Sequence, residues 1–272
     1  MSDSIKPFLK WPGGKRWLAH YIQALLAGRK FERYFEPFLG GGAIFFALRP
    51  TSAILSDINP DLINIYKQVK YRPRKLLERL QEIKVNKRAY LCMRSYEPEC
   101  HRERAVRFLY LNRTAFAGMY RLDQQGRFNV PYGGGSRTPA ILWRDNLLVN
   151  ASRALKGATI LTADFEKIIA MASEGDLVYC DPTYTVAHNN NGFIRYNEHN
   201  FSWKDQIRLA EASLSAAARG ASVLVSNAFH REIKRLYSGS EVHVVTRKSL
   251  LCPDPSKRSN TKEVLIVIWP NK

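Results

Sequence analysis

Four consecutive residues, Asp181, Pro182, Thr183 and Tyr184, carry the groups best suited to chemistry in this chain. The aspartate carboxylate and the main-chain carbonyl of Pro182 are two hydrogen-bond acceptors, and the tyrosine supplies an aromatic face. A planar exocyclic amine presents two hydrogens beside a flat ring, so it matches this set of groups. Two acceptors localise the nitrogen lone pair and stabilise the positive charge that develops when the nitrogen is alkylated. The turn therefore predicts methyl transfer to an amine such as adenine N6.

The same four residues have a plainer interpretation, because an Asp-Pro turn at the end of a strand is common in proteins. Their position favours function, since they follow a predicted strand and sites in open α/β sheets lie at the carboxyl ends of strands. An adenine inside a duplex cannot reach such a turn, so it must be flipped out, and Tyr184 can stack on it. A sulfonium donor suits the reaction. No HExxH or zinc-cysteine pattern is present, so no metal is predicted.

A glycine turn is the candidate cofactor site. Residues 31–38 read as a strand that leads into Gly40 and Gly42, and residues 43–48 read as a helix. Such a turn lets a ligand approach the backbone without interference from a Cβ atom. Asp57 ends the next strand, at about the spacing of the acid that binds a ribose in dinucleotide folds. Its alternative role is to cap the following helix, for which Asn59 is the other candidate.

Two further segments are cofactor candidates. Asp164 and Phe165 follow the predicted strand 158–162, where the carboxylate can accept from an adenine amine while the ring covers the base. Asp164 can equally cap the helix that follows. Trp11 and Lys15 lie in a rigid turn near the start of the chain, where they can fold over a ligand. Trp11 can alternatively anchor a docked terminus.

Strand and helix signals alternate at both ends of the chain, whereas the middle is rich in Arg and Lys and mainly helical. Further strands are predicted at residues 52–56, 176–180, 222–226 and 264–268, and helices at 60–70 and 201–219. The pattern predicts an α/β, Rossmann-like fold with an inserted helical and hairpin subdomain. Residues 1–70 and 137–272 form the predicted catalytic domain, and residues 71–136 the insertion.

The composition favours a globular protein that meets polyanions. The 272 residues include 42 Lys and Arg against 24 Asp and Glu, a net charge of +18. Because this charge coincides with groups that can handle a base, nucleic acid is the expected partner. The four cysteines show no paired spacing, and no apolar run approaches the ~18 residues of a membrane span. A soluble cytoplasmic protein is therefore expected.

Taken in order, these segments resemble the Dam-type, D12 class family of DNA adenine-N6 methyltransferases, which use S-adenosylmethionine. Residues 10–15 read KWPGGK and residues 36–42 read EPFLGGG, close to the family's KWxGGK and EPFxGxG. Residues 56–59 read SDIN, as at its next acidic strand end. Residues 112–113 and 126–133 resemble its DNA-reading segment. The similarity spans nearly the whole chain and is specific because the segments occur together.

The resemblance implies roles for individual residues. Asp181, Pro182 and Tyr184 would be catalytic. Cofactor contacts would come from Trp11, Lys15, Phe38, Gly40, Gly42, Asp57, Asp164, Phe165 and Asp181. Double-stranded DNA would be contacted by Arg113, Phe116, Ala117, Met119, Arg121, Arg127, Asn129 and Pro131. Among these, Phe116 would wedge into the duplex beside the flipped adenine, and Arg121 would read a guanine. A solvated basic hairpin over packed aromatic rings is the plainer interpretation of that segment.

Three positions depart from the family pattern. Thr183 replaces the second proline of Asp-Pro-Pro-Tyr, which keeps both acceptors but frees the backbone before Tyr184. Ala117 stands where GATC readers often carry asparagine, and Gly135 where a bulkier residue is common. We predict retained methyl transfer by a monomer, at GATC or a variant of it. A catalytically impaired cofactor- and DNA-binding homologue stays open, as does methylation of RNA or of a protein amide.

Two other predictions concern segments beyond these motifs. Residues 185–200 read as a flap over the flipped base or as a plain connection. Ser226 and Asn227 either shape the pocket floor or cap the next helix. The residues alone do not separate a housekeeping, a phage-encoded and a restriction-linked enzyme.

Overall fold

The structure is a computed structural model that describes residues 5–11, 13–123, 125–135, 137–144, 146–185, 201–248 and 260–270. The chain divides into two compact units. The first comprises residues 1–27, 40–51 and 59–162, and the second comprises residues 28–39, 52–58 and 163–272. The insertion predicted at residues 71–136 lies within the first unit, and its boundaries as a separate subdomain stay a prediction. Residues 186–200, most of the predicted flap, lie outside the described residues.

The first unit is mainly helical. Its elements are α1 (Arg16–Leu25), α2 (Ala43–Leu48), α3 (Pro60–Tyr71), α4 (Pro73–Glu82), α5 (Lys87–Ser95), α6 (His101–Thr114), α7 (Pro139–Leu142), α8 (Leu147–Ala154) and β3 (Ala158–Thr162). Helix α3 packs against α6 and α8. It buries Leu62, Ile65 and Val69, whose spacing of three and four residues places them on one face. Below the glycine turn, the rings of Phe8 and Tyr66 meet edge to face at 5.0 Å.

Helix α3 begins at Pro60 because Asn59 and the proline together define its start. The Asn59 side chain accepts hydrogen bonds from the main-chain N–H groups of Asp61 and Leu62, at 3.0 and 3.2 Å. Proline is tolerated at the first helical position, where its missing N–H would have no partner in the helix. The cap is therefore Asn59 and not Asp57, which ends the preceding strand.

Loss of this cap should weaken the fold measurably. We expect Asn59→Ala to lower the free energy of unfolding by about 1 kcal/mol, because two helix N–H groups lose their acceptor. Urea unfolding followed by circular dichroism measures the change. Lys67→Ala, an exposed change on the same helix, should stay within about 0.5 kcal/mol. Equal stability of Asn59→Ala and the wild type would contradict the assignment.

The second unit carries the other strands. Its elements are β1 (Tyr34–Glu36), β2 (Ala53–Asp57), α9 (Phe165–Ile169), β4 (Leu177–Cys180), α10 (Trp203–Ala218), β5 (Ser222–Ala228), α11 (Arg231–Leu236), β6 (Glu241–Lys248) and β7 (Asn260–Ile268). All four residues of β4 are buried, as expected for a central strand covered on both faces. Helix α10 starts with a capping box formed by Ser202 and Asp205.

The strands form one sheet in the order β3-β2-β1-β4-β5-β7-β6. Strand β1 pairs in parallel with β2 and β4, and β4 pairs in parallel with β5, whereas β7 is antiparallel to both β5 and β6. The strand order reverses between β1 and β4, which is a topological switch point. This mixed α/β sheet confirms the Rossmann-like fold class. It places the chain that follows β1 and the chain that follows β4 at the edge where such sheets bind ligands.

The boundaries agree with the sequence predictions in part. Helix α2 and strand β3 have the predicted limits. Strand β1 is shorter than the predicted 31–38, because its parallel register with β2 covers only residues 34–36. Strand β5 is longer than the predicted 222–226, because β7 pairs along it as far as Ala228.

None of the helices in the described part of the chain has both the length and the apolar character needed to cross a membrane.

Candidate active site and nucleic-acid interface

Residues 181–184, the candidate catalytic turn, follow β4 directly, at the predicted place. The Ser226 hydroxyl on β5 donates to Asp181 Oδ1 at 2.6 Å, and the Tyr179 and Ser226 hydroxyls lie 3.1 Å apart. A carboxylate has about four acceptor positions, so the bond from Ser226 orients Asp181 and leaves capacity for an incoming N–H. Pro182 is buried beside it and Thr183 is exposed.

Tyr184 is anchored through its hydroxyl. That hydroxyl donates to Glu263 Oε2 at 2.6 Å, and Glu263 is buried on β7. Burial, together with the neighbouring carboxylates of Asp181 and Glu263, raises the pKa of Tyr184 well above its ordinary value. The phenol therefore stays protonated and acts as a donor. The sequence did not single out Glu263, although a lone acid next to the apolar run 264–268 was a usable signal.

The chain just after the catalytic turn is held by a buried polar network. Thr185 donates to the main-chain carbonyl of Phe201 at 3.0 Å, and the Gln206 amide donates to the Thr185 hydroxyl at 3.1 Å. Asn227 in turn donates to Gln206 at 2.9 Å. Ser226 and Asn227 thus support the turn. They do not cap the next helix, whose N-cap residue is His230.

Phe38, two residues after the end of β1, is part of an aromatic cluster. Its ring stacks on Phe165 with centroids 5.2 Å apart, and Phe201 contacts both rings edge-on or tilted. Phe165 is buried and has the guanidinium of Arg208 4.8 Å from its ring centroid. Phe38 is only half-buried. The structure thus makes Phe38 the more accessible of the two rings and places Phe165 behind it.

Asp164 has the capping role that was one of its two interpretations. Its carboxylate accepts from the Glu166 N–H at the start of α9, at 3.0 Å. Arg208 binds Asp164 at 2.9 Å, and also Glu166 and Asp205, so it links α9 to α10. The hydrogen bonds that Arg208 donates to Glu166 and then to Asp205 raise the pKa of Arg208. Sequence reasoning missed Arg208, because its partners belong to different elements.

In the first unit, Trp11 packs on the glycine turn. A Cβ atom on Gly40 would lie 3.0 Å from the Trp11 ring, and Gly40 has a φ of 45°. Gly42 has a φ of 65°, and a Cβ there would meet the Tyr66 hydroxyl at 2.8 Å. Both positions therefore require glycine, for conformation and for space. Lys15 is buried, and its ammonium group contacts the Gly13 carbonyl at 3.3 Å.

Trp11 also stacks on two aromatic rings near the residues predicted to read DNA. Its ring lies 5.8 Å from Tyr120 and 6.4 Å from Phe108, nearly parallel to both. The main chain of Lys10 is clasped by Asn112, whose amide accepts from the Lys10 N–H at 2.9 Å and donates to its carbonyl at 2.6 Å. The docking role proposed for Trp11 is therefore present in the structure.

The predicted DNA-reading residues lie at the end of α6 and in the irregular hairpin that follows it, described at residues 115–123 and 125–133. Bridges join Ala115 to Tyr132 and Leu122 to Phe128. From below, the buried Tyr90 hydroxyl donates to the Val130 carbonyl at 2.7 Å, and burial raises the pKa of Tyr90 to about 12. The hairpin is therefore held by its own bridges and by the hydrogen bond from Tyr90.

Most predicted DNA contacts are accessible on this hairpin. Phe116, Ala117, Arg121, Arg127 and Pro131 are exposed, and Met119 and Asn129 are half-buried. Ala117 has a φ of 52°, in the left-handed region that asparagine tolerates better than alanine. This conformation suits the asparagine common in GATC readers.

The arginines predicted to contact DNA differ in their partners. Arg121 Nε donates to Asn129 Oδ1 at 2.8 Å, and Arg127 pairs with Asp123 at 3.0 Å. Arg113 faces inward and donates to the Leu142 carbonyl at 3.1 Å. Burial, and then the charge of Arg137, lowers the pKa of Arg113. Its predicted contact with DNA stays a prediction, and in this structure it packs as an interior support.

These features together define a class. A doubly wound sheet, a glycine turn after β1, an acidic residue at the end of β2 and an acceptor turn after β4 characterise an α/β enzyme that binds a nucleoside cofactor and modifies an amine.

The chain belongs to the D12 class of N6 adenine-specific DNA methyltransferases, whose profile matches residues 11–250. It is 34% identical to the type II methyltransferase M1.LlaDCHI of Lactococcus lactis subsp. cremoris, covering 98% of this chain and 97% of that protein. It is 33% identical to a DNA adenine methylase of Vibrio cholerae, over 98% of this chain and 97% of that protein. A solved putative RNA methyltransferase from Pyrococcus horikoshii aligns with 99% of this chain and 91% of its own, at 8% identity and a TM-score of 0.41.

Membership of this family makes S-adenosylmethionine the methyl donor. The residues present fit it chemically. Gly40 and Gly42 give the turn after β1 its left-handed backbone, Asp57 ends β2 with a half-buried carboxylate, and Phe38 keeps part of an aromatic ring accessible. Carboxylates and a flat apolar face are what a nucleoside with a ribose diol requires.

Proposed function

We propose that this chain methylates the N6 amine of an adenine flipped out of double-stranded DNA, with Asp181, Pro182 and Tyr184 as catalytic residues. The observation that carries the proposal is the Asp181 carboxylate, held at the end of β4 by Ser226 with the Pro182 carbonyl next to it in the chain. We further propose a short site such as GATC or a variant of it, and a monomer acting in the cytoplasm.

Asp181 and Pro182 act on the amine as acceptors. Adenine N6 is a poor nucleophile because its lone pair is delocalised into the ring. Acceptance of its two hydrogens by Asp181 and by the Pro182 carbonyl draws the nitrogen towards tetrahedral geometry and localises the lone pair. The Asp181 charge also stabilises the positive charge that develops on the nitrogen. Proline suits this role, since its φ is restricted and its carbonyl is a full acceptor.

Cofactor binding is assigned to residues of the motifs described above. They are Trp11, Lys15, Phe38, Gly40, Gly42, Asp57, Asp164, Phe165 and Asp181. When bound, S-adenosylmethionine supplies an activated methyl group. Asp57 is assigned to the ribose hydroxyls because it ends β2, at the place of the ribose-binding acid in dinucleotide folds, and the N-cap of α3 is Asn59. Phe38 is assigned a stacking role, with Phe165 supporting it from behind.

DNA binding is assigned to the hairpin. Phe116, with 55% of its surface exposed, is the candidate wedge that fills the space left by the flipped adenine. Exposed cations interleaved with aromatic side chains suit a phosphate-and-stack surface. The net charge of +18 adds long-range attraction to the duplex.

Transfer of radiolabelled methyl groups tests this proposal. We expect label from S-adenosylmethionine to enter duplex DNA as N6-methyladenine, and methylation mapping by sequencing to find one short site. Duplex RNA of the same sequence serves as the competing substrate, and DNA already methylated at N6 as the control. A folded protein that binds the cofactor and labels no adenine-containing duplex would instead fit the impaired homologue, and preference for RNA would fit the third alternative.

A further inference from the structure

The ring of Tyr184 is held from its far end by a buried acid. Its hydroxyl donates to Glu263 Oε2 at 2.6 Å, a length that belongs to strong hydrogen bonds with ionised acceptors. Glu263 is 1% exposed and lies inside β7, opposite Ala228 of β5 on one side and Val245 of β6 on the other. A carboxylate on a strand paired along both edges is a rigid support for the tyrosine.

The residue before Tyr184 offers no comparable support. Thr183 is exposed, and within the described part of the chain neither its main-chain N–H nor its hydroxyl makes a hydrogen bond. A proline at this position would restrict φ to about −65°, whereas threonine leaves it free. The backbone of this turn therefore determines the direction of Tyr184 less strictly than an Asp-Pro-Pro-Tyr turn does.

The two functional ends of the turn are tied to different strands. Ser226 of β5 holds Asp181 at one end, and Glu263 of β7 holds Tyr184 at the other. Between them, Thr183 forms no hydrogen bond to any other described residue. The contact with Glu263 is thus placed where the turn lacks its usual constraint.

We propose that Glu263 is a positioning residue that aligns Tyr184 with the flipped adenine and supplies the alignment that a second proline would otherwise give. This inference rests on the proposed function. A ring whose hydroxyl is held keeps its plane, so a base stacked on it keeps its amine near Asp181 and the Pro182 carbonyl. Glu263 itself touches neither base nor cofactor in this role.

A double-mutant cycle tests whether the hydrogen bond from Tyr184 to Glu263 replaces the constraint that a proline at position 183 would give. The four proteins are the wild type, Tyr184→Phe, Thr183→Pro and the double variant. Tyr184→Phe keeps the ring and removes only the hydroxyl. We expect it to lower kcat about tenfold in the wild-type background and about twofold beside Thr183→Pro, a coupling within the usual range for neighbouring residues. KM for S-adenosylmethionine should stay unchanged.

Variants of the acid provide the matched control. Glu263→Gln keeps an acceptor for the hydroxyl, so kcat should stay within about threefold of the wild type, whereas Glu263→Ala should lose about tenfold. If Glu263→Ala folds poorly, Tyr184→Phe still tests the contact, because it leaves Glu263 in place. If the role of Glu263 were purely structural, Glu263→Ala would lower the stability of the protein, but the effect of Tyr184→Phe on kcat would not depend on the residue at position 183.

Equal loss from Tyr184→Phe in both backgrounds would overturn the inference, and so would no loss in either. If the wild-type protein transfers no methyl group to any duplex, the proposed function fails independently. The free energies of unfolding of the same four proteins, measured in urea, then test the alignment role without the need for activity. A smaller cost of Tyr184→Phe beside Thr183→Pro supports the alignment role, and additive costs overturn it.

Discussion

Asp181→Ala should lower the rate of methyl transfer by about 10²–10³-fold at saturating cofactor, the usual loss when one preorganised charge-stabilising group is removed. The variant loses the acceptor that localises the adenine N6 lone pair and the charge that stabilises the nitrogen as it becomes positive. The fold should persist, because Ser226 keeps Tyr179 as a partner at 3.1 Å. Single-turnover labelling of duplex DNA measures the rate, and fluorescence anisotropy measures duplex affinity.

Two further variants make this result specific. Glu211→Ala removes an equal charge from an exposed position on α10 and should leave the rate unchanged. Asp181→Asn should give an intermediate loss. The asparagine amide offers a single acceptor oxygen, and the adenine amine and the Ser226 hydroxyl would compete for it. If Asp181→Ala kept more than a tenth of the wild-type rate, the assignment of Asp181 as a catalytic residue would be wrong.

Arg121→Ala should relax recognition of one G·C base pair, with a loss of discrimination of about 1–3 kcal/mol. Arg121 is exposed on the hairpin, and its Nε is engaged by Asn129 at 2.8 Å. That bond orients the guanidinium while its two outer nitrogens form no hydrogen bond to any other described residue. A fork oriented in this way suits the two acceptors on the major-groove edge of guanine. Relative kcat/KM on the preferred duplex and on single-base variants of it measures the change.

The neighbouring Arg127 is the matched control. It is also exposed and carries the same charge, but it pairs with Asp123 and Gln125. As a phosphate contact, Arg127→Ala should weaken binding to all duplexes alike and lower the salt dependence, without a change in base preference. Arg121→Lys should behave like Arg121→Ala in discrimination, because lysine keeps the charge and loses the fork. If Arg121→Ala weakened all duplexes equally, its assignment as a base reader would be wrong.

Local signals in the sequence predicted the elements nearest the site. Helix α2 was predicted to the residue, because a glycine at position 42 and Pro50 punctuate it. Strand β3 and the start of α3 were also predicted, the latter through Asn59 and Pro60. These features depend on residues that are close in the chain, so the pattern contains them.

Features set by distant residues were not predicted. Strand β6 was missed, because it is an edge strand with the exposed Val244 in its middle and so lacks a continuous apolar run. The roles of Glu263 and Arg208 were missed for a similar reason. Tyr184 and Glu263 are 79 residues apart, and Asp164 and Arg208 are 44 apart. Only the folded sheet brings such partners together.

The position of β7 has a consequence for how the enzyme matures on the ribosome. Strand β7 is synthesised after β6, yet it lies between β5 and β6, so β6 has no place in the described sheet until β7 has emerged. The contact between Tyr184 and Glu263 joins residues 79 apart in the chain. Such a contact forms late, because the intervening chain must be brought together before the contact can stabilise the fold. A nascent chain that already carries the catalytic turn therefore still lacks the anchor of Tyr184. Competence for methylation should arrive only after the hairpin of β6 and β7 has inserted into the sheet.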